Sequence, residues 1–363
     1  MGERFLAIGN EAVGWGAFHA GCKAFFGYPI TPQNEVAEWF ARKFPPEGRV
    51  FFQAPSETSA INLLFGAGAC GVRAMTSTSS PGWSLMQETM SHLSNAELPC
   101  VIVLVQRGGP GQGTTRHGQM DYLSVTKGGG HGGYKNIVLA PASVQETHDL
   151  LQLAFHLADK YRNPAIVLSD AVIGLTMEWL EPRPLEFEPL PEKDWAIRGR
   201  DRQKDRKKRL VGCSQGLTPW PPHFNYLSLL EALDRKHNLM QAQEVRYESD
   251  DEGAEVVVVA YGYTAQASRR AVELARQQGV KAGWFRPITL YPFPYEALKQ
   301  RAQRGCRFLV VEDSLGQMVE DVKLGVEGQA PIHFLGALAR HTAQEMGLIF
   351  PERIEEEIRR IAQ

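Results

Sequence analysis

The chain has 363 residues, 43% hydrophobic and 22% charged, which is enough length for two domains and an ordinary composition for a globular protein. Its 39 Lys and Arg against 41 Asp and Glu leave a formal charge of −2, which argues against nucleic acid or an anionic membrane as the main partner. The longest apolar runs, 100–105 and 256–261, are far too short to span a bilayer, and five scattered cysteines without a CxxC pair argue against a cluster or structural zinc in this chain and suit a reducing cytoplasm.

In chain order, the N-terminal residues carry no basic region leading into an apolar run, so no signal peptide is expected. Residues 10–26 (NEAVGWGAFHAGCKAFF) predict a helix with small residues for close packing. Residues 27–31 predict an extended piece ending in a Pro-flanked turn, and 57–70 a second helix. A strand is expected at 72–76 and a helix at 84–96. The β-branched run 100–106 (CVIVLVQ) predicts a buried parallel strand. Further strands are expected at 136–140 and 164–170, around a helix at 143–161 with Ser143 as its N-cap. This alternation predicts an α/β sheet covered on both faces.

Composition changes after about residue 178. EPRPLEFEPLPEKDW is proline-rich and RGRDRQKDRKKRL is a dense mixed-charge run, so 181–250 is expected to connect two domains over the surface. The basic run reads as a solvated face, with a subunit contact as the lesser reading. The second domain, 251–363, repeats βα units: strand 255–261, helix 264–278, strand 281–286, a proline-punctuated loop (PITLYPFP), helix 295–304, strand 307–312 and helix 316–326. It predicts a parallel sheet smaller than that of residues 1–180.

Four stretches can carry chemistry. In FFQAPSETSAINLLFGAGACG, Ser56 is a good N-cap, so Glu57 falls in the first turn of a helix. There it gains roughly 0.3–1 kcal/mol from the helix dipole, or else it serves as an acid at the lip of a buried segment. GYPITP (27–32) holds a rigid loop at a strand end, where α/β proteins place ligands, and offers the Thr31 hydroxyl. TSTSSPGW (76–83) reads as five hydroxyl residues closing a strand before a Pro-Gly turn into a helix, which is either an elaborate cap or a polar-ligand site. In QRGGPGQG (106–113), Arg107 follows an apolar strand with a planar fork suited to a carboxylate or phosphate. No GKS or GKT follows, so the loop is not a P-loop. His131 in KGGGHGGY is a loop histidine without an evident partner, and Trp83 and Tyr122 read as core aromatics or as pocket walls.

Together, the ordered stretches GNEAVGWGAFHAGCKAFFGYPITPQNE, SETSAINLLFGAGACGVRAMTSTSSPGWSLMQE, LPCVIVLVQRGGPG, KGGGHGGYKNIVLAPASVQE, FRPITLYPFPYEAL and GQMVEDVKL resemble the α subunit of 2-oxoacid:ferredoxin oxidoreductases, and within that family the branched-chain, 2-oxoisovalerate type. The resemblance covers about 7–178 and 254–335. It implies a thiamine-diphosphate-binding, pyrimidine-type parallel-sheet domain followed by a smaller transketolase C-terminal-like α/β domain. It implies oxidative decarboxylation of a 2-oxo acid to acyl-CoA and CO₂, with electrons passed to ferredoxin. A β subunit would share the cofactor by holding the diphosphate, Mg²⁺ and a [4Fe-4S] cluster. A ferredoxin-like δ subunit would hold further clusters, and a γ subunit would complete a cytoplasmic assembly.

By the same resemblance, Glu57 hydrogen-bonds the aminopyrimidine of the cofactor, a task favoured by burial of a carboxyl that must share a proton. Thr31 and Arg107 bind the 2-oxo acid, and Pro29, Ile30, Ser80 and Gly82 line the cofactor. Pro55 stands where relatives often have an acid, Ser314 where they often have Asn, and GGPGQGTTRHGQMDY replaces the commoner GPSTGLPT. A 2-oxoacid dehydrogenase or transketolase-like subunit, handing acyl groups to lipoamide or sugars, fits RGGPG and KGGGHG poorly. A non-catalytic scaffold subunit would not be expected to keep Glu57, Thr31 and Arg107.

Overall fold

The computed structural model describes residues 4–197, 199, 211–212, 226–339 and 347–363. Most of the mixed-charge run, and Cys213, lie outside the described residues.

Seven strands form the first sheet, in the spatial order Thr289–Tyr291, Ile137–Leu139, Ala165–Asp170, Val101–Gln106, Ala74–Ser79, Ala24–Gly27, Val50–Gln53. All pairs are parallel except that of Thr289–Tyr291 with Ile137–Leu139. Val101–Gln106 sits at the centre and is buried throughout, as a continuous β-branched run on a doubly covered sheet should be. From Ala24–Gly27 the chain moves outward to the edge strand Val50–Gln53, then returns to the other side as Ala74–Ser79. That reversal opens a crevice beyond the C-terminal ends of Ala24–Gly27 and Ala74–Ser79, where open α/β sheets place ligands.

The second sheet has five strands, in the order Ile332–Leu335, Arg307–Val311, Val256–Ala260, Ala282–Pro287, Tyr247–Asp250. Only the last pairing is antiparallel. A two-stranded ribbon joins Phe5–Ile8 to Met177–Leu180. The fold is therefore the expected α/β arrangement, a larger parallel-rich sheet followed by a smaller one. Among the described residues no helix is long and apolar enough to cross a membrane.

Four local expectations are corrected. The helix expected over 10–26 is Gly9–His19, and AFFG is the strand Ala24–Gly27. Gly21, at φ 75, turns the chain there, and Cys22 N–H donates back to the Ala17 carbonyl at 3.0 Å, a left-handed helix ending that glycine permits. The strand expected at 72–76 is Ala74–Ser79, so the hydroxyl run makes up most of it: Thr76, Ser77, Thr78 and Ser79 all lie within it, buried. The PITLYPFP loop supplies Thr289–Tyr291 to the first sheet. The connecting stretch contains the helix Tyr226–Gln243 and the strand Tyr247–Asp250, which pairs with Ala282–Pro287; neither has a strong apolar period.

The two halves are joined through buried charges. Asp321 of the helix Met318–Val326 is wholly buried. It accepts from Tyr122 Oη at 2.7 Å, from Tyr295 Oη at 2.5 Å and from Lys127 Nζ. Arg286, also buried, donates to Glu146 Oε2 at 2.5 Å and Oε1 at 3.0 Å. Asp321→Ala removes one charge and strands three donors, so a loss of about 3–5 kcal/mol is expected. Thermal unfolding of the assembled protein checks this, and a melting temperature unchanged within about a degree would contradict it.

Candidate active site

At the edge of the crevice, Ser56 caps the helix Glu57–Ala69 by accepting the Ser59 N–H at 3.2 Å. This places Glu57 in the first turn, 5% exposed. Among the described residues no hydrogen bond or ion pair holds its carboxylate. The side chain instead lies over Gly82, in the first turn of the helix Ser80–Asn95. A Cβ at Gly82 would come within 2.5 Å of Glu57 Oε1 and 2.2 Å of Thr78 Oγ1. The glycine is thus required by close approach, and it leaves a buried carboxylate with free acceptor capacity.

Two residues before Gly82, the Ser80 hydroxyl accepts the Arg107 N–H at 3.0 Å. Arg107 directly follows the central strand and is 6% exposed. Its Nη1 donates to the Thr31 carbonyl at 2.9 Å and its Nη2 to the Gln112 carbonyl at 3.0 Å. Its Nε–H is buried with no partner among the described residues, a donor available to an anion. The loop carrying Pro29, Ile30 and Thr31 is fastened from behind. Ser77 Oγ donates to Gln33 Oε1 at 2.5 Å, Gln33 Nε2 donates to the Tyr28 carbonyl at 3.3 Å, and Asn10 Nδ2 donates to the Pro32 carbonyl at 2.8 Å. One run of contacts therefore joins Glu57, Gly82, Ser80, Arg107 and Thr31. Pro29 and Ile30 share Thr31's loop, Pro29 exposed and Ile30 half-buried.

The loop after Arg107 is built into the second domain. Gln119 is wholly buried. It donates to the Tyr261 carbonyl at 2.9 Å and accepts the Asp313 N–H at 2.9 Å. His117 Nδ1 lies 2.6 Å from Asp313 Oδ2. Asp121 accepts from Ser80 Oγ, and its N–H donates to Gln106 Oε1 at 3.2 Å. Burial pushes the Asp121 carboxyl up to about 6, against the pull of the Ser80 hydroxyl and Arg107. Burial likewise raises Asp170 to about 6, although the Ile173 and Tyr263 N–H groups stabilise its anion. Sequence reasoning missed Gln119, Asp121 and Asp313, because nothing local in RHGQMDY or VEDSLGQ marks them and most of their partners are remote in the chain.

The other flagged residues lie elsewhere. Trp83 and Tyr122 are buried, Trp83 Nε1 donating to Ser124 Oγ at 3.1 Å, so both belong to the packing. His131 lines a separate cavity of about 210 Å³ with His92 and Leu230. A larger cavity, about 630 Å³, lies among Arg73, His156, Lys160 and Trp195, and Arg73 precedes its strand at the end remote from the crevice. Among the described residues no group of three or more His, Cys, Asp or Glu is placed to hold a metal ion.

A family model described as pyruvate flavodoxin/ferredoxin oxidoreductase, thiamine diphosphate-binding, matches residues 15–251. A second, described as pyruvate:ferredoxin oxidoreductase core domain II, matches 254–345. The chain belongs to this oxidoreductase family. Among its oxidoreductase relatives, the ketoisovalerate oxidoreductase subunit VorB of Methanothermobacter marburgensis is 48% identical over 320 residues, covering 88% of this chain and 89% of that one. The 2-oxoglutarate synthase subunit KorA of Archaeoglobus fulgidus is 38% identical over 323 residues, covering 88% and 91%.

The solved 2-oxoglutarate:ferredoxin oxidoreductase of Magnetococcus marinus, with 2-oxoglutarate, coenzyme A and succinyl-CoA bound, superposes with a TM-score of 0.85 at 26% identity. The match takes in 100% of this chain and 66% of that one. A split-gene transketolase, at a TM-score of 0.58 and 14% identity over 97% of this chain and 95% of that one, shares the fold. The protein is thus a 2-oxoacid:ferredoxin oxidoreductase subunit with a thiamine-diphosphate-binding domain. Its site fits the pyrimidine end of that cofactor: the Glu57 carboxylate is buried, unpartnered among the described residues, and packed against a glycine in place of a side chain.

Proposed function

We propose that this chain is the α-type subunit of a CoA-acylating 2-oxoacid:ferredoxin oxidoreductase acting on a branched-chain 2-oxo acid. The observation that carries the reading is a buried carboxylate, unpartnered among the described residues, linked through Gly82 and Ser80 to an arginine whose buried Nε–H lacks a partner among them. The likeness to ketoisovalerate oxidoreductase subunits supports the branched-chain substrate.

Bound thiamine diphosphate supplies the carbanion chemistry that decarboxylation of a 2-oxo acid needs. The chain's own residues orient and tune it. Glu57 holds the aminopyrimidine and shares a proton with it. Pro29, Ile30, Ser80 and Gly82 shape the cofactor's seat. Arg107 pairs with the 2-oxo acid's carboxylate, and Thr31 holds the carboxylate or carbonyl.

The proposal includes a β subunit holding the diphosphate, Mg²⁺ and a [4Fe-4S] cluster. It includes γ and ferredoxin-like δ subunits, ferredoxin as electron acceptor, CoA as acyl acceptor, and a cytoplasmic setting. It retains the division at 1–180, 181–250 and 251–363. Replacing Arg107 tests the substrate assignment. Arg107→Met is expected to raise the KM for 3-methyl-2-oxobutanoate about ten- to hundredfold, the worth of a charged hydrogen-bonded pair. CoA-dependent viologen reduction by the intact complex measures it, and an unchanged KM in active enzyme would overturn the assignment.

A further inference from the structure

The second domain reaches the arginine through side chains that the reading above leaves without a task. Glu312 is wholly buried. Its carboxylate accepts the N–H groups of Gln317, Met318 and Val319, each at 3.0 Å. Those bonds fix the start of the helix Met318–Val326 and, with it, the half-buried Gln317. Gln317 then grips the opposite domain with both ends of its amide. Nε2 donates to the Met120 carbonyl at 2.7 Å, and Oε1 accepts the Leu123 N–H at 2.9 Å.

Asp121 lies between those two backbone groups. Its own N–H is held by Gln106 Oε1 at 3.2 Å, and its carboxylate accepts the Ser80 hydroxyl. Ser80 in turn accepts the Arg107 N–H at 3.0 Å. The links are hydrogen bonds joined by the Met120–Leu123 backbone, and Gln317 and Asp121 have no contact with substrate or cofactor in the reading above.

We propose that Gln317 and Asp121 are positioning residues for Arg107: the second domain sets the backbone of the substrate-gripping arginine through Gln317, the Met120–Leu123 backbone, Asp121 and Ser80. The inference rests on Arg107 being the substrate arginine. A guanidinium aimed by its own backbone anchor loses its fit when that anchor loosens, and displacements of about 1 Å cost up to about a hundredfold in catalytic efficiency. The loss falls on capture of the 2-oxo acid rather than on CoA, because the arginine is its target.

The test compares Asp121→Ala, Gln317→Ala, Asp121→Asn and Arg107→Met in the purified complex, with KM and kcat read separately for 3-methyl-2-oxobutanoate and for CoA. Hydrogen–deuterium exchange over 106–127 is the second readout. Asp121→Ala and Gln317→Ala are each expected to raise the 2-oxo acid KM about tenfold, to leave the CoA KM within about twofold, and to speed exchange in 106–127. Asp121→Asn keeps an acceptor for Ser80 and is expected to stay within about twofold of wild type.

An unchanged 2-oxo acid KM in both alanine variants overturns the inference, as does an Asp121→Asn as impaired as Asp121→Ala, which would make the effect one of charge. Equal rises in both KM values would also overturn it, as general loosening. If Asp121→Ala does not assemble, Gln317→Ala decides by the same criteria. If neither assembles, the Asp121→Asn complex decides: exchange and 2-oxo acid KM as in wild type support the inference, and a raised KM overturns it. If Arg107→Met itself leaves the KM unchanged, the substrate reading has failed; if only the positioning variants do, that reading stands and this inference falls.

Discussion

Glu57→Gln is expected to lower kcat about 10²–10⁴-fold while the complex assembles normally. The amide matches the carboxylate in shape, so it should sit over Gly82 as Glu57 does and leave the helix start intact. What it removes is an acid able to share a proton with the aminopyrimidine, and proton transfer by a positioned group is worth that range. KM should move little, because the 2-oxo acid is held elsewhere. The competing account makes Glu57 a helix-start acid, worth roughly 0.3–1 kcal/mol of stability through the dipole. That account predicts full activity and a small drop in melting temperature. Steady-state kinetics with a viologen acceptor separates the two.

Gly82→Ala is the second large effect. In an open helix position the change would stabilise by about 0.5–1 kcal/mol. Here the new methyl would meet Thr78 Oγ1 at 2.2 Å and Glu57 Oε1 at 2.5 Å. Thr78 is buried in the strand, so relief needs both its hydroxyl and the Glu57 carboxylate to shift. Overpacking of this kind costs about 1–3 kcal/mol and outweighs the helix gain. The larger consequence is loss of the carboxylate's place, expected to cost about a hundredfold in kcat/KM. A folded, assembled Gly82→Ala complex with wild-type activity would show that the contact of Glu57 with Gly82 is incidental.

The candidate site residues that local sequence marks are Arg107, after a strand, and Glu57, at a helix start, while their proposed roles rest on the family resemblance. The β-branched run ending at Gln106 announces Arg107, and the Ser-Glu pair before an apolar stretch announces Glu57. The hydroxyl run reaches further into the strand than its composition suggests: Ser77 and Thr78 lie within a buried strand, where Ser77 fastens Gln33 and Thr78 flanks Glu57. Gly21 hid the strand Ala24–Gly27, since one left-handed residue ends a helix without changing the apolar pattern around it. The domain interface was illegible for a different reason. Met120 and Gln317 are 197 residues apart, and Ser80 and Asp121 are 41 apart; only tertiary folding brings such groups together.

The position of the cofactor in a structure of the assembled complex with thiamine diphosphate tests the central claim most directly. The account predicts the aminopyrimidine ring beside Gly82, with a ring nitrogen about 2.6–3.2 Å from the Glu57 carboxylate. A ring seated elsewhere, with Glu57 facing solvent or another side chain, would contradict it.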